Sequence, residues 1–83
     1  MTKEEIVKII NDFLVDEFEM NESQLVPEAL LKEDLSIESL DFVDIAVVIE
    51  KKFGFKVKGE DMMNVRTLGD LHDYIYNYLN TNK

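Results

Sequence analysis

The sequence contains no cysteine, a single proline, and half as many basic as acidic residues. Small secreted domains usually depend on disulfides, so the absence of cysteine predicts a reducing, cytoplasmic setting. The first residues lack a basic start followed by an apolar stretch, which predicts that no signal peptide is present. The longest apolar run, residues 45–49, is far too short to span a membrane.

Bases are scarce enough to exclude whole classes of partner. Nine Lys and Arg against 18 Asp and Glu give a formal net charge of −9. Nucleic acid binding requires basic side chains that release counterions from phosphates, and anionic membrane surfaces attract basic segments. The charge therefore argues against both and favours protein partners with a basic face.

The length allows one small domain. Hydrophobic residues make up 46% of the 83 residues, which is typical of a globular protein and too many for a disordered chain. A chain of this size builds one modest core with about 5 kcal/mol of net stability. We expect a single domain over residues 1–83.

The first and last helices are marked by apolar periodicity and by capping residues. Apolar residues at helical spacing predict a helix from Lys3 to about Phe18, and Thr2 with Glu5 forms a capping box. Thr67 is the predicted cap of the last helix. Between the first two helices, residues 20–36 form a long loop in which a helical turn after the proline is possible. The residues expected to attach this loop to the core are Leu25, Val26, Leu30, Leu31 and Leu35.

A second helix is predicted over residues 39–53. Gly54 follows it at the position where a left-handed C-cap favours glycine. Residues 55–58 alternate like a strand but have no partner strand, so we expect an extended connector, and residues 60–64 allow one short helix. The sum is an all-α, four-helix bundle with three long helices, a short third helix and a long loop between helices one and two.

The second helix carries two apolar stripes. One is a predicted core face, formed by Phe42, Ile45, Ala46, Ile49 and Phe53. The other comprises Leu40, Val43 and Val47 and is edged by Asp41, Asp44 and Glu50. Residues 33–50 contain six acids and no base. Either the helix is buried on both sides, or the second stripe is exposed and binds a partner with an apolar groove and basic edges.

Ser39, at the start of this helix, has two interpretations from the pattern alone. It could cap the helix or act as a nucleophile. His72 is the single histidine, no Gly-x-Ser-x-Gly elbow surrounds Ser39, and a hydrolase is disfavoured. We expect His72 to lie at the surface or half-buried on the last helix.

Other candidate sites are weaker. The acids lack the spacing of a calcium loop and there is no Cys/His cluster, so no dedicated metal site is expected. Charge density alone could bind a divalent ion weakly at Asp41, Asp44 or the Glu60-Asp61 pair. Met62 and Met63 are interpreted as flexible core residues.

Residues 34–44, DLSIESLDFVD, strongly resemble the attachment site of acyl carrier proteins. In that family an Asp-Ser-Leu triplet opens helix two, and the serine carries 4′-phosphopantetheine through a phosphodiester. The resemblance covers nearly the whole chain, including the acidic second helix, the short third helix and the last helix beginning at Thr67. It implies a non-catalytic carrier of fatty-acid or polyketide-type synthesis, with the acyl chain lying between helices.

The resemblance also implies site residues and partners. Ser39 would receive the arm from coenzyme A through a phosphopantetheinyl transferase. The other partners implied are basic-faced synthases, reductases, dehydratases and acyltransferases, and the carrier itself would be a monomer. The residues implied to contact them are Glu38, Leu40, Asp41, Val43, Asp44, Val47 and Glu50.

The sequence departs from the family pattern at three places. Glu38 replaces the usual aspartate before the serine, and Ser36 stands where glycine is common. Lys51 and Lys52 replace acids often found late in helix two, which leaves the partner set open. Two alternatives also stay open: a specialised carrier of D-alanyl or other aminoacyl groups, and an unmodified acidic helical adaptor in which Ser39 is only a cap.

Overall fold

The computed structural model describes residues 2–81, so residues 1, 82 and 83 of the predicted domain lie outside the described residues. Four α-helices and one 3-10 helix are found in this part of the chain, and no strand occurs there apart from an isolated bridge between Leu30 and Thr67. The predicted all-α fold with three long helices and one short third helix is confirmed. No helix within these residues has the length and apolar composition needed to cross a membrane.

Helix α1 spans Lys3–Phe18 and begins at the predicted capping box. The Glu5 carboxylate accepts the Thr2 backbone N–H at 2.9 Å, while the Thr2 hydroxyl accepts the Glu5 N–H at 3.2 Å. These bonds satisfy backbone donors that have no partner within the helix, and the bond from the Thr2 backbone N–H lowers the pKa of the Glu5 carboxyl group. The buried side of α1 is formed by Ile6, Ile10, Phe13 and Leu14.

The loop after α1 contains a 3-10 helix at Glu22–Gln24, which lies before Pro27 and not after it as expected. The Asn21 N–H donates to the Gln24 side-chain oxygen at 3.0 Å, so local side-chain bonding stabilises this turn. Of the residues predicted to attach the loop to the core, Leu25, Leu31 and Leu35 are buried, whereas Val26 and Leu30 are exposed.

Helix α2 spans Ser39–Phe53 and ends at Gly54, whose φ of 78° gives the predicted left-handed cap. The following residues form the expected connector, in which Phe55 is buried and stacks on Tyr78 with ring centroids 4.0 Å apart. Helix α3 then spans only Gly59–Met62. The Tyr74 hydroxyl donates to Asp61 at 3.1 Å, and burial raises the pKa of Tyr74 to about 12. These contacts attach the connector and α3 to the last helix.

Helix α4 spans Leu68–Thr81 and packs against α1. Thr67 caps it as predicted, because its hydroxyl accepts the Asp70 N–H at 3.0 Å. The Gly69 N–H donates to the Pro27 carbonyl at 2.9 Å, and a Cβ at Gly69 would lie 3.0 Å from that oxygen. Glycine therefore permits the close approach of α4 to the long loop.

The core lies between the three long helices and the loop. Its fully buried members share an aliphatic character and come from every long helix: Ile6, Ile10, Leu14, Leu31, Ile37, Ile45, Ile49, Leu68, Leu71 and Ile75. Of the predicted core face of α2, Ile45 and Ile49 are buried, whereas Phe42, Ala46 and Phe53 are only half-buried.

Candidate functional site

Ser39 is the first helical residue of α2 and is exposed. Glu38, in an extended conformation with φ −101° and ψ 174°, is the N-cap. The Asp41 carboxylate accepts the Glu38 backbone N–H at 3.0 Å, which stabilises the first turn of the helix. The interpretation of Ser39 as the cap is therefore wrong, and its hydroxyl makes no hydrogen bond with any residue between 2 and 81.

The segment that leads into α2 is held on both sides of Ser36. Leu35 and Ile37 are buried, and the Ile37 N–H donates to the Leu31 carbonyl at 2.9 Å. The Asp34 carboxylate accepts the Leu30 N–H at 2.8 Å. Ser36, between the two buried side chains, has a φ of 55°, in the left-handed region that glycine adopts without strain. The buried side chains of Leu35 and Ile37 thus fix the backbone ahead of α2, and the next two residues, Glu38 and Ser39, are exposed.

Ser39 lies on the rim of an open groove of about 870 Å³. This volume is within the range of sites that bind small organic ligands. The lining comes from the loop before α2, from α2 itself, and from the segment around α3; it comprises Leu30, Leu31, Lys32, Glu33, Ser39, Phe42, Val43, Ala46, Val57, Gly59, Met62, Met63, Val65 and Arg66. Most of these side chains are apolar, so the groove suits an apolar chain.

The second stripe of α2 is exposed, which decides between the two interpretations of this helix. Leu40 is 81% exposed, Val43 60% and Val47 43%. Large apolar side chains that cluster in solvent commonly mark binding surfaces. We call this stripe, with its flanking acids, the α2 surface; it comprises Glu38, Leu40, Asp41, Val43, Asp44, Val47 and Glu50.

Within the α2 surface the acids differ in their surroundings. Glu38, Asp44 and Glu50 are exposed, whereas Asp41 is half-buried and bonded to the backbone of Glu38. Asp41 thus stabilises the helix start as well as contributing charge. Among the residues described there is no group of three or more acids, histidines or cysteines placed to hold a metal ion.

Met63 is a surface residue, contrary to the prediction from the sequence. Met62 and Met63 are both predicted in the core, whereas in the structure Met62 is half-buried and Met63 is 80% exposed and lines the groove. Helix α3 has four residues, so no apolar periodicity exists that could have distinguished the two sides.

His72 is buried, which corrects the expected surface or half-buried position. It is 3% exposed, and its Nε2 lies 3.2 Å from the Asn11 Oδ1 between α4 and α1. Burial lowers the pKa of His72 to about 4, with a smaller contribution from the positive charge of Lys3. His72 does not line the groove at Ser39, so it is not placed as a base for that hydroxyl.

Comparison with known proteins identifies relatives over most of the chain. A family model described as "Phosphopantetheine attachment site" matches residues 8–75. The acyl carrier proteins of Rubrobacter xylanophilus and Thermotoga maritima are 33% and 36% identical, over 90% and 89% of this chain and 93% and 91% of their own.

A longer relative also matches. The meromycolate extension acyl carrier protein of Mycobacterium leprae is 39% identical over 75 residues, which are 90% of this chain and 65% of the relative. The chain thus spans about two thirds of the length of that protein.

Proposed function

The chain belongs to the acyl carrier proteins of the phosphopantetheine-attachment family, and on that premise we propose that it holds acyl groups as thioesters on a 4′-phosphopantetheine arm attached to Ser39. The single observation that supports this site best is the exposed Ser39 hydroxyl, without an internal hydrogen bond, on the rim of an apolar groove. The Ser39 side chain suits attachment of the phosphopantetheine arm, since the phosphodiester requires one free hydroxyl on the protein.

Attachment of the arm needs a base, and the described residues place none at Ser39. The Ser39 oxygen forms the bond to the phosphorus of the phosphopantetheinyl part of coenzyme A, and the nucleotide part leaves. No base in the described residues hydrogen bonds to Ser39, so the transferase must remove the hydroxyl proton. When bound, the arm supplies the thiol that forms the thioester, which is why a chain without cysteine serves as a carrier.

The groove supports an acyl cargo over an aminoacyl one. An apolar chain attached through Ser39 gains free energy when apolar lining such as Phe42, Ala46 and Val65 removes it from water. The charged lining is mixed, with Lys32 and Arg66 beside Glu33, so the preference rests on the apolar majority of the lining. The fatty-acyl or polyketide-type carrier is therefore the better supported member of the carrier class.

The α2 surface supports transient contact with several enzymes. Leu40 and Val43 offer an apolar contact, and the flanking carboxylates favour basic faces on a phosphopantetheinyl transferase, synthases, reductases, dehydratases and acyltransferases. A small, largely electrostatic contact associates quickly and releases quickly, as a carrier requires. We place this non-catalytic work in the cytoplasm and assign it to the monomer.

The attachment is tested by intact mass after incubation with coenzyme A and a phosphopantetheinyl transferase. We expect one added phosphopantetheinyl group on the wild type and none on Ser39→Ala. Ser23→Ala is the matched control, because Ser23 is exposed and lies outside residues 34–44; this variant should be modified fully. Modification of Ser39→Ala, or an unmodified wild type, would exclude the site.

A further inference from the structure

The exposed stripe of α2 continues beyond Val47 to a lysine. Successive residues of an α-helix are rotated by about 100°, so Leu40, Asp44, Val47 and Lys51 lie within about 60° of one another around the helix axis. Lys51 is exposed, and its ammonium makes no hydrogen bond or ion pair with any residue in the described range. It therefore lies on the same side of α2 as Leu40, Asp44 and Val47, without a side-chain counterion in the described residues.

Lys52 provides a contrast within the same helical turn. It is also exposed, but it is rotated by about 100° from Lys51, toward the side where α2 carries buried Ile45 and Ile49. Both lysines interact favourably with the negative end of the helix dipole, so this role is common to them. The two lysines therefore differ in their position around the helix, because only Lys51 lies on the exposed stripe.

We propose that Lys51 makes the α2 surface bipolar, so that it fits an enzyme face with a cationic group opposite Asp44 and a carboxylate opposite Lys51. The inference rests on the proposed carrier function and specifies the partner's chemistry. The Asp44 and Lys51 backbones are separated along the axis by about 10 Å, from seven residues at 1.5 Å each. A uniformly basic face would repel Lys51, whereas the bipolar face pairs both charges and fixes the direction in which α2 lies on the enzyme.

A uniformly basic enzyme face and a bipolar one predict opposite changes in the rate of acyl transfer for Lys51→Glu. Lys51→Glu makes the stripe uniformly acidic, which would accelerate docking on a uniformly basic face. On a bipolar face it replaces an attraction by a repulsion, and we expect acyl transfer at low salt to slow by about three- to tenfold, as for exposed ion pairs. Lys51→Met, which removes the charge alone, should give an intermediate rate.

The experiment uses the phosphopantetheinylated protein and the acyl-condensing synthase of the same host. The transfer rate at subsaturating carrier is measured for the wild type, Lys51→Glu, Lys51→Met and Lys52→Glu, after intact mass has shown that each carries the arm. A slower Lys51→Glu beside a Lys52→Glu at the wild-type rate supports the bipolar surface. An unchanged or faster Lys51→Glu, or equal slowing by both glutamates, overturns it. Absence of the arm from the wild type would instead exclude the carrier function, and the inference with it.

Discussion

At the scale of single residues, the site depends on how the chain enters α2. Glu38 is the N-cap of this helix and the Asp41 carboxylate accepts the Glu38 N–H, so the hydroxyl of Ser39 takes no part in capping. Leu35 and Ile37 fix the preceding backbone in the core, and Ser36 between them takes a left-handed conformation. The exposed Ser39 thus follows a backbone that its neighbours fix, while its hydroxyl makes no hydrogen bond with any residue that the structure describes.

Ser36→Gly should stabilise the protein. The left-handed conformation costs a non-glycine residue about 1–2 kcal/mol, while the added freedom of glycine in the unfolded chain costs about 0.4–1 kcal/mol. We expect a net gain of about 0.5–1 kcal/mol in urea unfolding at constant m-value. Ser23→Gly in the 3-10 helix, where φ is not positive, should not stabilise; a gain there of the same size would contradict the explanation.

His72 should make stability depend on pH. Its pKa is about 4 in the folded protein and about 6.5 when unfolded, so the unfolded chain binds the extra proton between these values. The contribution is complete above pH 6.5 and decreases as the pH falls toward 4, by about 3 kcal/mol in total. Urea unfolding of the wild type and His72→Gln at pH 7, 6 and 5 measures it. The wild type should lose more stability than the variant, and parallel losses would contradict the assignment.

At the scale of the elements, α2 has one buried and one exposed side. Ile49→Ala should destabilise by about 2–5 kcal/mol, because Ile49 is fully buried and the substitution leaves a cavity. Val47→Ala should change the free energy of unfolding by no more than about 0.5 kcal/mol while it slows acyl transfer. Thermal melts of both variants check this, and a Val47→Ala melt as low as that of Ile49→Ala would mean that Val47 supports the core.

The long helices were predictable because each carries a strong apolar period and a local cap. The predicted helix caps at Thr2, Gly54 and Thr67 are all found in the structure. The errors fall where local signals are weak or tertiary contacts decide. The 3-10 turn depends on an Asn21–Gln24 bond, and burial of His72 depends on Asn11 across the α1–α4 contact.

The exposed side of α2 near the proposed site was predictable from the sequence, whereas other features of this region were not. Periodicity separated Leu40, Val43 and Val47 from the core side of α2, and the structure exposes all three. It gave no means to assign Met63, which follows a helix of four residues. Nor could it show that Asp41, and not Ser39, closes the helix start, because both residues are favoured near an N-terminus.

At the scale of the whole molecule, the charge is unevenly distributed. Six acids and no base lie in residues 33–50, whereas Lys51, Lys52, Lys56 and Lys58 follow without an acid between them. The acidic part includes the α2 surface, and the net charge of −9 adds a long-range attraction for basic enzymes. Local placement and total charge therefore make separable contributions to association.

Asp44→Lys separates these contributions. Asp44 is exposed and has no internal partner in the described residues, unlike Asp41, so its reversal should leave the fold intact. We expect modification by a phosphopantetheinyl transferase at low salt to slow by about three- to tenfold, and raised salt to reduce the difference. Asp16→Lys on α1 changes the net charge equally and should have little effect. Equal slowing by both would show that total charge governs association.

Acyl carriage through Ser39 can be tested by intact mass spectrometry of the protein purified from its native host, before and after treatment with hydroxylamine. We expect a phosphopantetheinyl group on Ser39 and, on part of the molecules, an additional acyl mass that hydroxylamine removes, as expected of a thioester. A native protein whose Ser39 is unmodified, or an arm that carries no hydroxylamine-labile cargo during active growth, would show that the chain is not an acyl carrier.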